Sequence, residues 1–183
     1  MKKYIYLFFI ICASVLSACN DDEIIVDEAW KEANTQAFLA VARNTAEYKE
    51  IKSQSNGGSI YYKVLKEGTG GGLPIYYNSA VKCYYTGSYV ATKSDGNIKA
   101  GDVFDSAEYP DRDAALFSVN GVVDGFSTAL QHMKKGDRWE IWMPYQLGYG
   151  ASGNMTSTGT PIEPGPYTTL KFEIELVDIL GVL

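Results

Sequence analysis

Histidine and cysteine are scarce in this chain: one histidine, His132, and three cysteines among 183 residues. Cys12 and Cys19 lie in the apolar N-terminal stretch, which leaves Cys83 alone in the body of the chain. No disulfide can close within that body, and a zinc site built from the usual cysteine and histidine ligands is excluded with it. Cys83 sits in an apolar alternation with no candidate base nearby in sequence, the mark of a buried structural thiol. Basic runs are equally sparse: the body has none beyond Lys134-Lys135, and the formal net charge is −6. That balance argues against a nucleic-acid partner. No glycine-rich loop ends in Lys-Ser or Lys-Thr, and no Gly-x-Ser-x-Gly elbow occurs. No metal, cofactor or nucleophile is expected.

The N-terminus is built differently from the rest. Lys2 and Lys3 precede an apolar run from Tyr4 to Val15, too short to span a bilayer, and Leu16-Ser17-Ala18-Cys19 closes it with small residues. The pattern resembles a bacterial lipoprotein signal. It implies removal of residues 1–18, a lipid on Cys19 and an outer-membrane anchor in the cell envelope. Asn20-Asp21-Asp22-Glu23 then reads as an acidic, solvated tether. Periplasmic and surface-exposed placements both stay open.

From Asp27 to about Lys52 the period is helical. Trp30, Ala33, Ala37, Val41, Tyr48 and Ile51 share one stripe joined by Phe38, with Asp27 as N-cap. A single helix of this length is marginal alone. It is expected to dock on its own domain, with Trp142 as a landing site, or to pair with a second copy. Ser53 to Gly58 reads as a linker, so residues 19–58 form tether, helix and linker, and residues 59–183 form the main domain.

That domain reads mostly as strand. Ile60 to Leu65, Ala80 to Tyr85 and Leu116 to Val119 are strand-like, and Leu170, Phe172, Ile174 and Leu176 alternate with charged residues. The central stretch, Val122 to Gly150, changes period twice. Phe126, Ala129, Leu130 and Met133 form an i, i+3, i+4, i+7 stripe, with Lys134-Lys135 in the last turn and Gly136 as the stop. Trp139, Ile141 and Met143 then alternate as a strand, and Tyr149 sits between two glycines. The fold class is α+β: an antiparallel sheet with one short helix packed across it.

Five motifs stand in order: Val81-x-x-Tyr84-Tyr85-Thr86-Gly87, Val103-Phe104-Asp105-Ser106, Val122-Val123-Asp124-Gly125-Phe126, Leu147-Gly148-Tyr149-Gly150, and Thr169-Leu170-x-Phe172-x-Ile174-Glu175-Leu176. Together they resemble the FKBP-type peptidyl-prolyl cis-trans isomerases over roughly residues 59–183. The resemblance implies a curved sheet of five or six strands wrapped on the Phe126 helix, with an apolar proline pocket between them. Carried over by position, Tyr85, Phe104 and Asp105 would line one wall. Val122 and Val123 would form the rim, Phe126 the floor and Phe172 the back. Tyr149 would offer its hydroxyl, and Ile162 would stand for the apolar residue of the last loop. Tyr85, Asp105 and Tyr149 are the expected catalytic group, the others substrate-binding.

The chain departs from the family at Phe126, where the floor is normally tryptophan, and at Asn154, where histidine is usual. Ala114-Ala115 replaces an aromatic before Phe117, and residues 91–99 lengthen a loop near the pocket mouth. The resemblance implies isomerisation of X–Pro bonds in envelope polypeptides, macrolides as further ligands, and a monomer or a dimer formed through the N-terminal helix. The alternative function is a chaperone or peptide-binding module that uses the same pocket without turnover.

Overall fold

The computed structural model describes residues 26–55 and 57–182; the signal segment, Cys19 and the acidic tether lie outside the described residues. The first helix, α1 (Glu28–Arg43), starts where Asp27 accepts a hydrogen bond from the Trp30 amide at 3.0 Å. It ends earlier than its stripe predicts. Asn44 leaves helical geometry at ψ 63°, and the chain returns as a strand, β1 (Lys49–Lys52). Tyr48 and Ile51 therefore belong to the sheet side of this turn and not to the helix. The reason is pairing: β1 lies antiparallel on β2 (Ser59–Lys66), with Ile51 opposite Ile60, and covers an edge that β2 would otherwise expose. Ser53 and Gly58, the two ends of the stretch read as a linker, meet between these strands, the Ser53 amide donating to the Gly58 carbonyl at 2.9 Å.

Further along come β3 (Ser79–Tyr89), β4 (Val103–Ala107), β5 (Ala115–Ser118), α2 (Asp124–Leu130) and β6 (Arg138–Met143). A two-stranded hairpin, β7 (Asn154–Met155) with β8 (Pro161–Ile162), precedes the long last strand, β9 (Leu170–Val182). The main sheet is seven-stranded, one more than the upper expectation, because β1 joins it; its order is β1-β2-β6-β9-β3-β4, with β5 also on β3. Register shifts in β2, β3 and β9 bend these strands, so the sheet curves around α2.

The alternation read in β6 holds: Trp139, Ile141 and Met143 are buried while Arg138 is exposed. Cys83 is fully buried, and burial pushes its thiol up to about 12, as a structural thiol requires. Helix α2 stops at Leu130, so Lys134 and Lys135 fall beyond it and not in its last turn. The residues beyond the helix are held elsewhere: the buried Asp137 carboxylate accepts from the amides of Lys134 and Gly68, each at 2.7 Å.

Helix α1 docks on its own domain. Asn34, fully buried, donates to the Trp30 carbonyl at 2.9 Å and accepts from the Thr169 amide at 2.9 Å; the Thr169 hydroxyl returns a bond to the Asn34 carbonyl at 3.1 Å. Farther along the helix, Phe38 meets Tyr61 edge to face at 5.4 Å, and Tyr61 is the cross-strand partner of Trp142. Asn34→Ala leaves the Thr169 amide unpaired in the interior, which is expected to lower stability by about 1–3 kcal/mol. Chemical denaturation of the variant and the parent chain measures it.

Candidate functional site

The face of the sheet that meets α2 is aromatic. Strand β3 brings Tyr85, β4 brings Phe104 and Asp105, β5 brings Phe117, α2 brings Phe126 and β9 brings Phe172. Their rings form one edge-to-face array. Phe126 lies 5.2 Å from Phe172 and 6.1 Å from Tyr85, with the planes at 90° in both pairs. Phe104 meets Phe172 at 5.5 Å, and Phe117 meets Tyr85 at 5.4 Å and Phe126 at 5.6 Å. Such geometry sets the positive edge of one ring on the negative face of the next.

Two glycines make the array possible. A Cβ at Gly87 would meet the Phe104 and Phe172 rings, each at 2.6 Å. At Gly125 it would meet Met143 at 2.7 Å, so only glycine lets α2 sit close enough to β6 to hold Phe126 at the centre.

Phe126 and Phe172 are buried at the base of the array, while Tyr85, Phe104, Phe117, Val122, Val123 and Tyr149 are half-buried around them. Val123 is the N-cap residue of α2, and its carbonyl accepts from the Ser127 amide at 3.0 Å. Tyr149 follows a short helical turn pinned by the fully buried Leu147. The Tyr85 hydroxyl donates to the Asp105 carboxylate at 2.7 Å.

Burial, the Asp105 hydrogen bond and the Asp105 charge all raise the Tyr85 phenol above its ordinary range. Burial and then the same carboxylate raise Tyr149. A raised phenol pKa favours the protonated side chain in the folded state. The associated stability is fully present below the ordinary phenol value of about 10 and is lost as pH climbs beyond it. Both phenols are therefore donors at neutral pH. Melting temperature is expected to fall as pH rises above roughly 10, and Tyr85→Phe should lessen that fall; a thermal-melt series over alkaline pH checks it.

Of the residues singled out from sequence, Tyr85, Phe104, Asp105, Phe126 and Phe172 meet through ring contacts or a hydrogen bond. Val122, Val123 and Tyr149 pack against the same cluster. Ile162 stands apart: it lies on β8, 44% exposed, in the hairpin where it pairs with Asn154. Two residues of the array were not anticipated. Phe117 was read only as part of a strand, though its place opposite Val81 on β3 turns it inward. Tyr89 lies beyond the Tyr84-Tyr85-Thr86-Gly87 motif; strand β3 runs on through it, and it meets Phe104 at 5.2 Å.

Comparison with known proteins decides the family. Residues 78–177, just over half of the chain, match the FKBP-type peptidyl-prolyl cis-trans isomerases. The chain belongs to that family. It is 33% identical over 161 residues to the FKBP-type 22 kDa peptidyl-prolyl cis-trans isomerase of Escherichia coli strain K12, covering 85% of this chain and 69% of the relative. It is 35% identical over 148 residues to the outer membrane protein MIP of Legionella longbeachae, covering 81% of this chain and 54% of that one. The chain thus spans about half the length of the Mip relatives it matches. Among solved structures, a peptidyl-prolyl cis-trans isomerase from Pseudomonas syringae pv. tomato DC3000 superposes with a TM-score of 0.59 at 26% identity, over 83% of this chain and 94% of that chain. FkpA from Escherichia coli shares the fold, with a TM-score of 0.60 at 24% identity over 83% of this chain and 61% of that one. The α+β reading, a curved antiparallel sheet wrapped on one short helix, is the fold of this family.

Proposed function

We propose that the aromatic array of this FKBP-type isomerase holds the proline of an X–Pro bond in an envelope polypeptide and lowers the barrier to its rotation. The observation that carries the reading is the edge-to-face cluster of Tyr85, Phe104, Phe126 and Phe172, with the Tyr85–Asp105 hydrogen bond beside it.

The barrier is about 18–20 kcal/mol, and X–Pro bonds exchange unaided in tens to hundreds of seconds. In the twisted transition state amide resonance is lost, and with it the charge separation that water stabilises in the planar form. A proline seated on Phe126 and walled by Phe104, Tyr85 and Phe172 is shielded from water, which favours the twisted form over the planar one. The Tyr149 hydroxyl and the Val123 backbone amide orient substrate carbonyls from the rim. Asp105 organises Tyr85 and the wall; no proton moves. Val122 and Ile162 contact residues flanking the proline. Phe126, lacking the indole N–H of tryptophan, offers an apolar ring alone, and macrolides are a second ligand class for the same surface.

The relative named as an outer membrane protein supports work in the cell envelope, and lipid on Cys19 would tether the domain there through its acidic linker. Binding of extended segments without turnover is the rival reading, favoured by the exposed rings of Tyr76, Tyr77 and Tyr109 as client contacts. A protease-coupled peptide assay, run beside refolding of a proline-limited protein with its aggregation followed, separates the two. Rate enhancement that an immunophilin inhibitor abolishes supports the isomerase. Suppressed aggregation without enhancement supports the binding module and contradicts the proposal.

A further inference from the structure

Two hydrophobic clusters of this domain meet at one ring. The main core contains Phe126 and Phe172; a second, smaller cluster gathers Trp30, Tyr89 and Ala91. Phe104 packs against both. A continuous path of edge contacts follows: Trp30 to Tyr89 at 6.1 Å, Tyr89 to Phe104 at 5.2 Å, and Phe104 to Phe172 at 5.5 Å. The N-terminal helix therefore reaches the wall ring Phe104 of the proposed proline site through one intervening ring, Tyr89.

A polar path runs beside it. The Trp30 indole N–H donates to the Pro166 carbonyl and the Thr168 hydroxyl, each at 3.2 Å, and that hydroxyl donates to the Gly165 carbonyl at 2.8 Å. From the other side the Tyr89 hydroxyl donates to the Glu163 carboxylate at 3.0 Å, and the same oxygen accepts from the Gly165 amide at 2.8 Å. The Asn154 side chain donates to the Glu163 carbonyl at 3.2 Å. Trp30 and Tyr89 thus bracket residues 163–168, the segment that joins the β7–β8 hairpin to β9. Trp30 is itself fixed by the Asp27 cap at one end and Asn34 at the other.

We propose that Trp30 is a positioning residue for the isomerase site: seated between α1 and residues 163–168, it fixes Tyr89, and through Tyr89 it sets the wall ring Phe104 and the segment that anchors the β7–β8 hairpin. The role rests on the proline-site reading above. Trp30 touches no substrate. It narrows the range over which Phe104 and the hairpin move, and so acts on how tightly an X–Pro segment is gripped.

The test is steady-state kinetics on an X–Pro tetrapeptide, using the chain from Cys19 onward without lipid, with melting temperatures for every variant. Phe38→Ala is the control. It loosens α1 at its Tyr61 contact, outside both ring paths. Trp30→Ala is expected to raise KM roughly fivefold while kcat moves less than about twofold, since a looser grip removes binding shared by the ground and transition states. Trp30→Phe, which keeps an edge against Tyr89, should recover most of that loss. Phe38→Ala should show parental constants despite a lowered melting temperature. If Trp30→Ala does not fold, Tyr89→Phe carries the test, because it breaks the Glu163 tie with little change in packing and should raise KM roughly threefold. Equal KM for the Trp30 and Phe38 variants at matched stability, or parental KM in Tyr89→Phe, overturns the positioning role. A parent chain without isomerase activity, or a Phe126→Ala variant of parental rate, overturns the underlying site instead.

Discussion

Phe126→Ala is expected to lower kcat/KM for an X–Pro peptide roughly a hundredfold and stability by about 3–5 kcal/mol. The ring is 3% exposed and stands at the centre of the array, in contact with Tyr85, Phe117 and Phe172. Its removal takes away the surface on which proline is proposed to sit and opens a cavity beneath it. Domains of this size hold about 5–15 kcal/mol in total, so the loss is a large share of it and the rate is read only on preparations shown to be folded. Phe126→Leu separates the two effects. Leucine refills most of the volume, so stability returns toward the parent, but it offers no flat face and the rate stays low. Denaturation and the peptide assay on the same preparations give both quantities.

Gly87→Ala is the second large expectation, and it acts through packing alone. The new methyl would sit 2.6 Å from both Phe104 and Phe172, whose rings meet over Gly87. Those rings lean on Tyr89 and Phe126 in turn, so neither is free to swing aside. Overpacking of this kind is expected to destabilise the domain by about 1–3 kcal/mol. It should also push the wall away from the floor, lowering activity even where the protein remains folded. Near-parental stability and rate together would show that the rings yield and that their spacing is not what the site depends on.

Both substitutions strike residues whose importance was unequally visible in the sequence. Phe126 was legible because its helical stripe and the five ordered motifs coincide on it. Strands with clean alternation, such as Trp139-Ile141-Met143 and Leu170 to Leu176, were legible for the same reason: each buries one face. Gly87 was quoted within a motif, but Thr86-Gly87-Ser88 carries no apolar alternation to extend the strand through it. The structure extends β3 to Tyr89 because β9 pairs with it residue by residue, ending at Tyr89 opposite Leu170. The Tyr85–Asp105 hydrogen bond depends on a register, Gly87 opposite Asp105, that spacing alone does not specify.

At the N-terminal side the failure has a definite cause. Tyr48 and Ile51 fall on the continuation of the α1 stripe, yet β1 has a single apolar residue, Ile51, among Lys49, Glu50 and Lys52. Four residues with one inward side chain give no period that could outweigh the helical one. Trp30 fitted the stripe and was read as docking surface. That it meets Tyr89 on β3 and, 136 positions along the chain, Pro166 in the loop before β9 is information only the tertiary fold contains.

The central claim is that this ring array isomerises X–Pro bonds without metal, cofactor or covalent intermediate. The most direct measurement is the isomerisation rate of an X–Pro peptide with the parent chain and with the double variant Phe126→Ala/Tyr149→Phe, each shown to be folded by circular dichroism. Clear acceleration by the parent is expected, with a rate close to the uncatalysed exchange for the double variant. A folded double variant that accelerates exchange as fast as the parent would contradict it.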